Sequence, residues 1–176
     1  MALSGNAFNI YETLIVLLYA AVLLIILNKK PNGINLNKNF IFRDLIFTSA
    51  TVLLAIILSG MAVFFGMLKV ETGLNFKESI FKLLLLALIM APAEEIIFRG
   101  FVGEWIKKRL GMITSILLTS IIFGIAHLPK GIYFSVMAAI GGVFFSIIYF
   151  NTSSIINPII AHVILGFLYF FFLKGA

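Results

Sequence analysis

Long, almost uninterrupted apolar blocks alternate along this chain with short stretches that gather its Lys, Asn, Pro and Gly. A helix needs about 20 mainly apolar residues, at about 1.5 Å rise each, to cross a bilayer. The pattern predicts about six spans, near residues 11–27, 44–68, 79–98, 112–127, 132–150 and 155–173. The shorter blocks need interfacial anchors or local thinning of the bilayer. A membrane β-barrel would instead alternate apolar and polar positions within each strand, and no such alternation is present. The expected fold is an all-α, polytopic integral membrane helix bundle. Two N-terminal helices with a basic loop (1–78) lead into a four-helix unit (79–176), the whole forming one structural unit.

Composition extends this reading from the blocks to the chain. Hydrophobic residues make up 62% of it and charged residues 11%, and the mean hydropathy is +1.16. Met1 to Ile10 holds no Lys or Arg and no small-residue cleavage site, so the first apolar block is expected to remain as a helix. The absence of Cys removes disulfides, thiolate metal ligands and a cysteine nucleophile. The net charge of +6 does not point to nucleic acid, because no Lys/Arg tract is long enough to follow a phosphate backbone. The basic residues instead set orientation. Lys29, Lys30, Lys38, Arg43, Lys107, Lys108 and Arg109 fall on one side of a six-span bundle; Lys69, Lys77, Lys82, Lys130 and Lys174 fall on the other, diluted by Glu71 and Glu78. The loops near 28–43 and 107–111, with that at Asn151–Ser154, are therefore expected in the cytoplasm and both termini outside. Ser135, Ala138, Ala139, Gly141 and Gly142 cluster in the fifth block, and Ala138 with Gly142 forms a small-xxx-small pair that lets a neighbouring helix approach. Tyr169–Phe172 reads as a lipid-facing or interfacial surface.

Against this background the segment Glu94-Glu95-Ile96-Ile97-Phe98-Arg99 stands out. A charge at bilayer depth costs roughly 2.5–3.5 kcal/mol on insertion scales, so it faces a partner or a water-filled cavity. On a helix, Glu95 and Arg99 lie four apart on nearly one face and can pair. Glu94 is turned about 100° from Glu95 and about 140° from Arg99, which leaves it free to point elsewhere. Pro92 removes a backbone hydrogen bond just upstream and is expected to kink the span or open a water pocket. The chain's two histidines, His127 and His162, both lie within or at the end of apolar blocks. A carboxylate and one imidazole can deprotonate water while a second imidazole stabilises the oxyanion. The same three groups could ligate a divalent metal such as zinc, or line an ion or proton pathway.

Glu94-Glu95-x-x-x-Arg99, Phe123-x-x-x-His127 and His162 in a final helix resemble, in order and spacing, the CAAX-protease and bacteriocin-processing family of intramembrane proteases. That family includes the type II CAAX prenyl endopeptidases and many bacterial Abi proteins. The resemblance spans roughly Ser79 to Phe172. It implies a membrane-embedded endopeptidase with Glu94 as general base, His127 as its partner, Glu95 and Arg99 as the supporting pair, and His162 in the oxyanion hole. No cofactor is required by the Glu/His mechanism; one zinc-like metal is the alternative. The implied partners are membrane lipids and a membrane-associated peptide or protein, in one branch a prenylated CAAX C-terminus, and the implied location is the cell membrane of a prokaryote. The third family motif ends in Asn or Asp four residues after the final His, where this chain has Gly166. Losing one oxyanion donor typically costs about 100- to 1,000-fold in rate, so a weak or inactive binding or immunity protein on the same fold is the competing expectation. Asn157, five residues before His162, faces the wrong way on a continuous helix to replace that donor. A count of depth along each block also places His127 nearer the outer side than His162.

Overall fold

The computed structural model describes residues 42–66, 68–70 and 83–175, together with Ala21 and Ile80. The first predicted span and most of the basic loop after it lie outside the described residues. Five helices carry the structure: α1 (Phe42–Phe64), α2 (83–110), α3 (Met112–Ala126), α4 (Ile132–Thr152) and α5 (Ile156–Phe172). Among the described residues, two are long and apolar enough to cross a membrane, Asp44–Phe64 and Ile132–Thr152, while α3 and α5 are shorter apolar helices. Glu94, Glu95 and Arg99 interrupt the apolar run of α2.

Several boundaries differ from the sequence reading. The block at 79–98 does not end near Arg99: α2 runs on through Lys107, Lys108 and Arg109, which form its last turn. Glu104 pairs with Lys107 at 3.5 Å, and cations in a final turn complement the helix dipole. Gly111, at φ +87°, then reverses the chain in a conformation that L side chains resist. The predicted loop at 107–111 is thus one residue, and the α2–α3 corner is tight. The block at 44–68 is shorter than expected, because the chain turns at Phe65–Gly66 and enters a short strand, β1 (Leu68–Val70). β1 pairs antiparallel with β2 (Leu173–Gly175) beyond α5, tying the C-terminal ends of α1 and α5 together. Asn151 and Thr152 belong to α4, which stops at Ser153 in the left-handed region.

The helices are packed with their polar and small residues inside. In α1, Asp44, Thr48, Val52, Ala55 and Ala62 are buried while Leu45, Ile46, Leu53, Leu54 and Ile57 are exposed. In α3, Ser115, Thr119, Ser120, Phe123 and Gly124 are buried, and Ile113, Leu117, Ile121 and Ile125 face outward. Water would penalise such a surface, whereas lipid tails do not; interhelical contact in a bilayer comes from close packing and polar bonds. Ser115 Oγ donates to the Gly103 carbonyl at 2.7 Å, joining α3 to α2. Ser135 Oγ donates to the Gly124 carbonyl at 2.6 Å, joining α4 to α3. A methyl group on Gly142 would stand 3.1 Å from the Ser120 Cα, and one on Gly124 would stand 2.7 Å from the Ala139 Cβ. The small residues therefore set the α3–α4 spacing.

The backbone of α2 is irregular where the charges sit. Leu86–Met90 and Ile96–Gly103 are π-helical and flank Ala91–Glu95. The Ala91 N–H bonds back five residues to the Leu86 carbonyl. Pro92 has no N–H to offer a regular ladder and its ring crowds the preceding turn, and π stretches of this kind recur at functional sites. What accompanies Pro92 is this change of hydrogen-bond register.

Candidate active site

Glu95 and Arg99 are fully buried, and Arg99 Nη1 donates to Glu95 Oε1 at 3.1 Å, the partner its helical spacing predicts. Arg99 also reaches out of its helix. Its Nη2 donates to the Gly142 carbonyl of α4 at 3.0 Å, and its guanidinium lies 4.7 Å from the Phe123 ring centre and 5.3 Å from that of Phe145. Glu95 does more than hold Arg99. Its Oε1 lies 2.7 Å from His162 Nδ1, so the carboxylate accepts from the imidazole N–H and fixes the ring of a residue on α5. A carboxylate behind an imidazole sets its tautomer and orientation.

Glu94 faces both histidines, meeting His162 at the ring nitrogen that Glu95 does not bond. Its Oε2 stands 3.9 Å from His127 Nε2 and 3.7 Å from His162 Nε2. His127 Nδ1 lies 2.8 Å from the Phe123 carbonyl, which can only accept, so Nδ1 carries a proton and donates, while Nε2 is turned toward Glu94. That bond folds the ring back one turn along α3. Aromatic rings hold both imidazoles: Phe134 stacks on His127 at 5.4 Å and Phe145 on His162 at 4.7 Å, with Phe123 edge-on to His162. Both histidines line one cavity of about 110 Å³ between α1, α3, α4 and α5. Among the described residues no group of three or more His, Cys, Asp or Glu side chains is arranged to hold a metal ion, so the zinc alternative gains no support from the geometry.

A family model, type II CAAX prenyl endopeptidase Rce1-like, matches residues 75–168. The match covers more than half of the chain and contains all five residues singled out above. The chain belongs to this family. No curated protein and no solved structure matches it. Membership of the Rce1-like family makes this a membrane protein of a peptidase lineage, in accord with its two long apolar helices.

Gly166 has a structural explanation on this Rce1-like scaffold. A Cβ built there would stand 2.7 Å from Leu86 Cδ2 and 3.3 Å from Leu86 Cδ1. Leu86, itself buried, would have to shift its side-chain end to admit a Cβ at this position. Asn157 is buried with its Oδ1 unbonded, and it does not line the cavity with the histidines. The sequence reading missed the rings of Phe123, Phe134 and Phe145. Of these, Phe123 is a named residue of the Phe123-x-x-x-His127 motif without an assigned role, and its i,i+4 position beside His127 is the signal for one. It also assigned the Ala138/Gly142 pair to packing alone. The bare Gly142 backbone is what admits Arg99, whose Nη2 would lie 3.3 Å from an added Cβ.

Proposed function

We propose that the protein is an intramembrane endopeptidase in which Glu94, His127 and His162 activate one water against a peptide bond of a membrane-associated substrate. The observation that carries this reading is the approach of three polar atoms from three helices, with Glu94 Oε2 3.9 Å from His127 Nε2 and 3.7 Å from His162 Nε2. Separations of this size are too long for direct hydrogen bonds and suit a bridging water.

Glu94 takes a proton from the water as its oxygen adds to the carbonyl carbon, with His127 Nε2 accepting the second O–H and orienting the nucleophile. The carbonyl electrons move to oxygen, and His162 Nε2–H donates to the resulting oxyanion. Glu95 is a positioning residue that holds His162 through Nδ1. The tetrahedral carbon then expels the amine nitrogen, which takes the proton from Glu94 as the C–N bond breaks. General acid–base groups of this kind contribute about 100- to 10,000-fold. In a cleavage or complementation assay, Glu94→Gln and His127→Ala should each cut turnover at least about 100-fold. Full processing by either variant would overturn the reading. We infer prenylated CAAX-like C-termini as one substrate class, and the cell membrane of a prokaryote as the setting.

A second reading is favoured by one observation, the Leu86 side chain in the Gly166 slot. In that reading the protein binds a peptide or bacteriocin-like partner in the same cavity with little or no turnover. Peptide binding without cleavage in the unmodified protein would support it.

A further inference from the structure

The final turn of α2 carries three consecutive cations, Lys107, Lys108 and Arg109, and they are not equivalent. Lys107 is engaged within the bundle: its Nζ pairs with Glu104 at 3.5 Å and lies 4.7 Å from the ring centre of Phe150 on α4. Lys108 and Arg109 are exposed, and among the described residues neither pairs with a carboxylate. Arg109 is nonetheless held in place. Its guanidinium lies 4.1 Å from the Trp105 ring centre, and its Nη1 donates to the Trp105 carbonyl at 3.4 Å. An arginine stacked on an aromatic face keeps its other N–H groups free to meet an anion.

The surface next to these two cations is apolar. Phe101 and Trp105 lie one turn apart on one side of α2 and are 43% and 56% exposed. Gly111 reverses the chain within one residue, so Leu110, Met112 and Ile113, all exposed, border the same corner. A tryptophan between an apolar band and cations is the arrangement of a membrane–water interface. A nucleic acid or an acidic protein docked on the cations would leave the Phe101–Trp105 stripe unmatched. A phospholipid meets both parts, because a guanidinium fork fits phosphate oxygens and acyl chains fit the stripe. The headgroup charge then separates one lipid from another. A choline headgroup brings an ammonium that the two cations repel, whereas a glycerol headgroup leaves the phosphate charge whole.

We propose that the α2–α3 corner binds the headgroup of an anionic phospholipid, with Lys108 and Arg109 on the phosphate and Trp105 and Phe101 against the upper acyl chains. The site does not depend on the endopeptidase reading, and none of its residues lines the histidine cavity. It does bear on the helices that carry the candidate active site. The Ser115 Oγ bond to the Gly103 carbonyl, at 2.7 Å, joins α2 and α3 just inside the corner. A lipid bound across the corner therefore braces the joint between the helix of Glu94 and the helix of His127.

Trp105 is the chain's single tryptophan, so intrinsic fluorescence reports on this site alone. The intact chain in detergent micelles is titrated with phosphatidylglycerol or phosphatidylcholine carrying brominated acyl chains, which quench tryptophan on contact. A cation near an anionic lipid surface contributes about five-fold in affinity. Phosphatidylglycerol should therefore quench at about 10- to 30-fold lower mole fraction than phosphatidylcholine. Lys108→Gln combined with Arg109→Gln should bring the two lipids within about 2-fold of each other. Lys107→Gln, which removes a cation already paired with Glu104, should keep most of the preference. If the double variant misfolds, the unmodified protein in about 1 M salt, where the screening length falls to about 3 Å, should lose the preference in its place. Equal quenching by the two lipids in the unmodified protein, or a preference that the double variant or the salt leaves intact, overturns the site. So does inorganic phosphate or poly-glutamate that shifts Trp105 emission in phosphatidylcholine micelles as phosphatidylglycerol does, because the surface would then serve a soluble anion or an acidic protein.

Discussion

Glu94 and Glu95 are neighbours in sequence and are buried to nearly the same degree, yet their surroundings ask different things of them. Among the described residues, Glu95 is the carboxylate bonded to Arg99, and it also holds His162. Removing one partner of a buried ion pair costs about 3–5 kcal/mol, because it strands the other charge. Glu95→Gln should therefore lower unfolding stability by about that amount, whereas Glu94→Gln, which leaves Arg99 bonded, should cost less than about 1 kcal/mol while abolishing turnover. Equal stability losses in denaturant titrations would contradict this division. Leu86 and Gly166 provide a second residue-scale test. Gly166→Asn alone overpacks against Leu86 and should destabilise by about 1–3 kcal/mol. Adding Leu86→Ala should relieve the strain, and turnover of the double variant should exceed that of the unmodified protein by about 10-fold or more, toward the roughly 100- to 1,000-fold worth of an oxyanion donor. The Glu95–Arg99 pair was legible because four residues on one helix fix their own geometry. The Glu95–His162 bond was not, because its partners lie on helices whose mutual rotation no local pattern encodes.

At the scale of elements, the α3–α4 pair is the seam that carries Arg99 to Gly142. Gly124 sits where a Cβ would meet both the Ala139 side chain at 2.7 Å and the Ser135 carbonyl at 2.9 Å. Gly124→Ala must push α3 from α4, strain the Ser135–Gly124 bond and cost about 1–3 kcal/mol. Gly141→Ala, whose nearest neighbour is a ring edge in ordinary contact, should change stability by less than about 0.5 kcal/mol. Thermal unfolding of the two variants side by side would check the contrast. The helices themselves could be read from apolar runs, and α3, α4 and α5 lie within a few residues of their predicted places. The end of α2 could not, because charge density was taken as a loop signal although Glu104 to Leu110 are good helix formers. Gly111 was the sharper stop signal there. The π stretches around Pro92 were foreseen only as distortion, since the hydrogen-bond register depends on how α2 is gripped by its neighbours.

For the whole molecule, the exposed Leu, Ile and Phe surface of α1 and α3 has one compatible solvent, the hydrocarbon of a bilayer. The orientation inferred from loop charge places the last turn of α2, with Lys107, Lys108 and Arg109, in the cytoplasm. The chain has no Cys, so a single Lys108→Cys label reports this cleanly. A membrane-impermeant maleimide should label it in inverted vesicles and not in intact cells, and the opposite pattern would reverse the topology. Sequence by itself determined the helical membrane class, the Glu95–Arg99 pairing and the order of motifs that marks the family. Each of these follows from local composition or from spacing within one helix, where 3.6 residues per turn leaves no freedom. Tertiary structure alone decided that His127 and His162 meet at Glu94, that Leu86 packs against Gly166, and that a cavity opens beside the imidazoles. Those outcomes depend on the tilt and rotation of separate helices, which are set by close approach at Gly124 and Gly142 and by the reach of Arg99 between them.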